Sequence, residues 1–438
     1  MLVYGKVKMS AAQNKFLNLR KHTAKLTFKI KTIFSSPYGA TIFPFFLLVT
    51  AFLFPPSIYS YYVKEPDYMF LNIKMLIFGV LCLFFYYIGI FIGSFKPLFN
   101  FNLITKKIKI NSFLYIVLIL ILSLILQFVF LIVIYIYFSK VSGISLFTVI
   151  FLGYGDIIKT YSKVLKIPYG LGAIQTILAP IEFWLLYKIY YAKNNIPNKK
   201  YKLLKSFVTF SAILYIIENI LLINRPLLMI FIIGWIMIYS YFNKVKIFSI
   251  LFKLFLLSLI LFAITSIIRW ASTGEDIVYM IIGKLLGYTI ADFNRMVLMI
   301  ENKLSYVSAG VPGIFFLLPI TKIPGTEITF FKIPDYSYFS LSAVNNVGLN
   351  GSYNMATLFG GIYQVIGIAT PVYFFFLGIV GSRLFISFKR GKNFGIILYP
   401  LFYASVTLWM IDVNFFILDF LYYFYIFIIL TVYSAFFR

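Results

Sequence analysis

Arg225, Arg269 and Arg295 are the residues of this sequence best suited to hold a diphosphate. A guanidinium grips phosphate oxygens in pairs, keeps its charge at any relevant pH, and can steady a departing pyrophosphate. Near them in the chain stand Glu275, Asp276 and Asp292, carboxylates able to take the proton of an attacking hydroxyl. The sequence does not rank these three acids. Further on, Asp335-Tyr336-Ser337-Tyr338-Phe339 offers aromatic faces suited to stacking on flat sugar rings. Such a set fits transfer of a glycan from a lipid-linked pyrophosphate, where the activated leaving group already carries the driving force.

Other chemistry lacks its residues. The only histidine, His22, lies in a basic N-terminal tail, so no histidine base stands beside the arginines. Membrane O-acyltransferases and O-antigen ligases, which need one, are disfavoured. The single cysteine, Cys82, sits inside an apolar run and gives neither a disulfide nor a thiolate metal site. No DxD motif is present; Glu65-Pro66-Asp67 is the nearest acidic triplet and a weak candidate for a metal. No cofactor and no metal are expected.

The elements that position these groups follow from composition. Apolar residues make up 62% of the chain, charged residues 12%, and mean hydropathy is +0.94. That balance makes lipid the solvent. Runs of about 20 apolar residues, the length that crosses a bilayer, fall at 39–56, 75–95, 112–138, 171–192, 206–223, 226–243, 247–268, 367–388, 394–411 and 415–436. They are too long and continuous for barrel strands. The expected fold is an all-α polytopic membrane bundle of about ten spans. It divides into a basic tail (1–38), spans one to seven (39–268), a large polar loop (269–366) and spans eight to ten (367–438).

Lysine and arginine crowd residues 1–38 and the segments after spans two, four, six and eight, all without acids. By the positive-inside rule both termini are cytoplasmic and the large loop faces outward. The net charge of +26 is mostly this signal, so nucleic acid is not an expected partner, while anionic lipid heads are. No cleavable signal peptide is expected, because the first apolar run is followed by Pro55-Pro56. Gly89 and Gly93 form a GxxxG that carries little information on so apolar a chain.

Ionisable groups in or beside spans are costly and draw attention. Arg225 opens span six in Asn224-Arg225-Pro226, against the positive-inside bias, with Glu218 on the same face about 10 Å deeper. A Glu218–Arg225 contact or a shared polar cavity is expected there. Glu182, mid-span, calls for a buried polar partner. Arg269 closes span seven beside Trp270, and a snorkelling contact with lipid phosphate is its plainer reading. Residues 275–303 read as one amphipathic interfacial helix, with Lys284, Asp292 and Arg295 near a common polar stripe. A plain surface pair of Asp292 with Arg295 is the alternative.

Several features in order resemble the O-antigen and capsule repeat-unit polymerases of the Wzy type. An arginine opens a span at Asn224-Arg225-Pro226-Leu227-Leu228, and Arg269 ends the next outward-going span. The large loop contains Gly287-Tyr288-Thr289-Ile290-Ala291-Asp292-Phe293-Asn294 and closes with Asn354-Met355-Ala356-Thr357-Leu358-Phe359-Gly360. The likeness covers about residues 220–390. It departs where the family often carries an acid, at Gln364 or Val365 here. The resemblance implies a GT-C-like plan and metal-independent joining of undecaprenyl-pyrophosphate-linked oligosaccharides on the outer face of the bacterial cytoplasmic (inner) membrane. Arg225 and Arg269, then Arg295, would contact pyrophosphate; Glu218, Tyr288, Tyr336, Tyr338 and Asn354 would line the substrate. Lipid-linked donor and acceptor, membrane lipids and a chain-length-regulating membrane protein are the implied partners. The alternatives are a flippase or transporter of the same lipid-linked glycan, and a metal-dependent GT-C enzyme using Glu65 and Asp67.

Overall fold

A computed structural model describes residues 33–66, 72–95, 112–151, 174–193, 196–222, 224–243, 276–304, 341–351, 353 and 357–409, with scattered residues in 256–268 and 423–432. Among the described residues the chain is helical and no strand occurs. In lipid a helix satisfies each backbone group within its own segment, which is why long apolar runs leave little choice.

The helices are α1 (Pro37–Ala40), α2 (Ile42–Leu53), α3 (Pro56–Val63), α4 (Ile73–Ser94), α5 (Ser112–Ser142), α6 (Leu146–Phe151), α7 (Ile174–Ala192), α8 (Asn198–Leu221) and α9 (Arg225–Phe242). After them come α10 (Ile277–Gly287), α11 (Ala291–Ile300), α12 (Leu341–Asn346), α13 (Leu358–Ile366), α14 (Thr370–Lys389) and α15 (Asn393–Thr407). Four stretches are long and apolar enough to cross a membrane: Ile73–Ser94, Phe113–Lys140, Asn198–Leu221 and Gly367–Lys389. The pair Pro37–Leu53 and Pro56–Val63 adds a fifth if counted as one broken span, bent by 101°. The remaining expected spans are shorter helices (α9 and α15), the more polar α7, or segments largely outside the described residues. The chain therefore has the character of a multi-helix membrane protein.

α7 is the buried axis of one half of the bundle, with α5, α8, α9 and α15 packed around it. Its residues from Leu178 to Tyr187 are all buried, Glu182 among them. Phe183 stacks on Phe231 of α9 at 5.6 Å, and Tyr187 donates to the Phe388 carbonyl at 3.0 Å. The other half rests on α4 against α14. Here Gly89 and Gly93 prove to be contact points: a Cβ on Gly89 would run into the Phe375 carbonyl, and one on Gly93 would lie 2.8 Å from Ser382. Small residues let the two backbones approach, which supplies the van der Waals contact that drives helix association in lipid.

The break after α2 sets up everything outside the bundle. Pro55 and Pro56 cannot continue a helix, yet Pro56 suits the first position of a new one. α3 leaves at a steep angle and packs on α10. Tyr279 donates to the Tyr61 carbonyl at 2.6 Å, and Gly283 leaves room for the Tyr62 carbonyl. α3 ends at Lys64, whose left-handed backbone (φ 58°, ψ 41°) turns the next residue, Glu65, inward.

Candidate functional site

Two polar groupings stand at the ends of these helices. The first is built on Glu65 and Arg295, which lie 230 residues apart and form an ion pair of 2.6 Å with both side chains fully buried. Glu65 is saturated: one oxygen takes Arg295 and the Asn350 amide (2.9 Å), the other takes the Tyr59 hydroxyl. Arg295 is nearly so. Its Nε donates to the Tyr353 carbonyl (2.7 Å), Nη1 to the Ala291 carbonyl (2.9 Å), and Nη2 also to the Asn350 carbonyl (3.0 Å). Burial alone would lower the guanidinium's pKa, but the Glu65 charge beside it holds it above its ordinary value. Asn350 donates onward to the Val63 carbonyl at 2.8 Å, closing the α3 end.

Tyr353 completes this clamp. Its hydroxyl donates to the Gly283 carbonyl at 2.9 Å, its ring meets Tyr288 edge-on at 5.9 Å, and Lys284 stands over it at 5.2 Å. A Cβ on Gly287 would overlap the Tyr353 ring, so this position is confined to glycine by close approach. α11 in turn packs on α13, where a Cβ added to Gly360 would lie 3.0 Å from the Met296 backbone.

The second grouping surrounds Arg225, the first residue of α9. The side chain is half-buried and Nη2 donates to Ser266 Oγ at 3.2 Å, tying the α8–α9 turn to the following apolar segment. Asn224 donates to Gln175 Oε1 at 3.1 Å, which ties the same turn to the start of α7. An arginine at a helix end suits an anion by its charge and its forked N–H geometry.

The other expected site residues are distributed as follows. Asp276 is exposed and caps α10, accepting from the amides of Val278 (2.7 Å) and Tyr279 (3.2 Å). Asp292 is fully buried on α11. Tyr288 packs on Tyr353. Glu218 is buried on α8, but no hydrogen bond joins it to Arg225. Arg269, Glu275, Tyr336, Tyr338 and Asn354 lie outside the described residues. Arg295 makes no contact with Arg225; Glu65 holds it instead, and a pyrophosphate would reach it only by displacing that carboxylate.

Two expectations about the large loop change. The described residues 276–303 of the expected helix 275–303 form two helices, α10 and α11, broken at Tyr288–Ile290, where Gly287 packs against Tyr353. Asp292 and Arg295 do not face lipid heads or form a surface pair; both have no exposed surface. Glu65 is no open metal ligand, since both oxygens are taken, and among the described residues no group of three His, Cys, Asp or Glu could hold a metal ion. Tyr353, Asn350, Gln175 and Ser266 escaped notice in the sequence. Only Tyr353 left a trace there, as an aromatic just before Asn354.

Comparison with family models finds no match, and neither a curated protein nor a solved structure matches the chain significantly.

Proposed function

We propose that this protein is a polysaccharide polymerase: a glycosyltransferase that joins undecaprenyl-pyrophosphate-linked oligosaccharide repeat units into O-antigen or capsular glycan. In this reading the chain crosses the cytoplasmic membrane ten times, keeps both termini inside, and works on the outer face. The supporting observation is the packing of the described part of the large polar loop. α10 packs on α3, α11 packs on α13, and Arg295 and Asn350 bind Glu65 just past the end of α3. A connecting loop has no need of such a lock, whereas a loop that must position two long glycans does.

Arg225 is then the described residue for pyrophosphate contact, and Arg269, outside the described residues, is the second. Asp276, exposed at the head of α10, is the described acid that a sugar hydroxyl reaches without rearrangement. Arg295 serves by holding the loop. The test is complementation of a deletion strain of the native host. Arg225→Ala abolishes long glycan and leaves single repeats on the lipid anchor, and Arg225→Lys rescues poorly because bidentate contact is lost. A normal glycan ladder from Arg225→Ala overturns the assignment.

The flippase reading keeps one observation in its favour, the buried polar cluster between α5, α7 and α8 described next. Purified protein in detergent separates the two. With no membrane to cross, a polymerase still elongates a lipid-linked repeat unit, and a flippase leaves it unchanged.

A further inference from the structure

Deep between α5, α7 and α8 sits a polar cluster that the proposed glycosyl transfer does not use. Glu182 Oε1 accepts from Ser211 Oγ (2.5 Å), Ser123 Oγ (2.7 Å) and Gln127 Nε2 (3.2 Å). Gln127 Nε2 also donates to Ser211 Oγ at 2.9 Å. Every member is buried: Ser123, Gln127 and Ser211 have no exposed surface and Glu182 has 2%. Glu218, 1% exposed on α8, lies within electrostatic reach of Glu182.

Donors and acceptors do not balance here. The hydroxyl and amide protons converge on one oxygen of Glu182 and on the serine oxygens. Glu182 Oε2, Gln127 Oε1 and both oxygens of Glu218 then have no hydrogen-bond partner. All four are acceptors. Neither carboxyl forms an ion pair among the described residues, and on α8 Lys200 stands over the Phe113 ring at 5.5 Å and Lys205 over the Tyr190 ring at 5.9 Å. Lys188 stands over the Trp184 ring at 5.5 Å, Arg225 donates to Ser266, and Lys140 lies in the last turn of α5. Buried acceptors without donors are costly, and a buried carboxylate without a counter-charge is costlier still.

A small cation supplies what is missing. The cluster offers only oxygens, from the Glu182 carboxylate, a carboxamide and two hydroxyls, with the Glu218 carboxyl in electrostatic reach. Among the described residues no group of three acids, histidines or cysteines gathers to hold a metal of higher charge. We propose that Glu182, with Ser123, Gln127, Ser211 and Glu218, holds an exchangeable small monovalent cation, sodium or a proton, inside the helical bundle. The inference stands apart from the proposed glycosyl transfer, because neither Glu182 nor Glu218 is hydrogen-bonded to Arg225.

The full-length protein, purified in detergent, is treated with dicyclohexylcarbodiimide, which modifies protonated carboxyls in apolar surroundings, and is mapped by mass spectrometry. Modification at Glu182 or Glu218 is expected, and Glu182→Gln or Glu218→Gln removes it at the altered position. If sodium is the occupant, sodium chloride near ten times its dissociation constant lowers modification about tenfold relative to choline chloride and raises the melting temperature. If a proton is the occupant, sodium has no effect and modification fades as pH rises. No modification at either glutamate across the pH range, or modification indifferent to both sodium and pH, overturns the proposal. The wild-type measurements decide the matter even where a variant fails to fold, and the glycan ladder of the Arg225 variants is read separately.

Discussion

The clamp at Glu65 and the cluster at Glu182 each bury a carboxylate, yet they solve the problem of that charge differently. Glu65 has a guanidinium at 2.6 Å, a backbone amide and a tyrosine hydroxyl, so no lone pair of consequence is left open. Glu182 has three donors on one oxygen and none on the other, with a second carboxyl nearby. A balanced buried pair is a fastening, since nothing more can bind it without breaking it. An unbalanced one leaves acceptors open, which is where we place the proposed cation. Burial of charge therefore does not identify function by itself; the count of donors against acceptors does.

The contrast predicts opposite responses to neutralisation. Arg295→Ala strands Glu65 in the interior and should cost about 3–5 kcal/mol, read as a large fall in melting temperature in detergent. A loss within about 1 kcal/mol would show the clamp to be ornamental. Gly287→Ala comes next. The added methyl overlaps the Tyr353 ring, so about 1–3 kcal/mol of destabilisation is expected. An unchanged melting temperature would mean that Tyr353 does not occupy that place.

Glu182→Gln should behave unlike either. Removing a charge that has no counter-charge in the fold leaves stability within about 1 kcal/mol of wild type or raises it, because the amide still accepts from Ser123 and Ser211. A drop comparable with that of Arg295→Ala would show Glu182 to be a fastening too. The smallest effect belongs to Lys64→Gly. Glycine relieves the left-handed strain but gains freedom in the unfolded chain, so the two offset within about 1 kcal/mol. Lys64→Val, β-branched at a positive φ, should be clearly worse in the same melt.

Much of the scaffold was legible. The apolar runs at 75–95, 112–138 and 367–388 became α4, α5 and α14 with ends within a few residues, because helix formation in lipid depends on each run alone. The GxxxG at Gly89 and Gly93 was visible but mute; its meaning came from Gly378 on the facing helix, where a Cβ would collide with the Tyr86 carbonyl. Glu182 was expected to find a buried polar partner and found three. Arg295 and Asp292 misled, since their spacing on α11 promised a surface stripe while α13 packs on that helix and the Asn350 and Tyr353 carbonyls take Arg295.

Composition and run length settle that this chain is a helical membrane protein, since hydrocarbon solvent demands backbone hydrogen bonds that close within a few residues. Which carboxylate meets which cation is another matter. Glu65 and Arg295 are 230 residues apart, joined through a proline bend, a left-handed lysine and a glycine that admits Tyr353. Charge pairing acts over a few ångströms in space, and chain spacing does not report that distance until every intervening helix has packed.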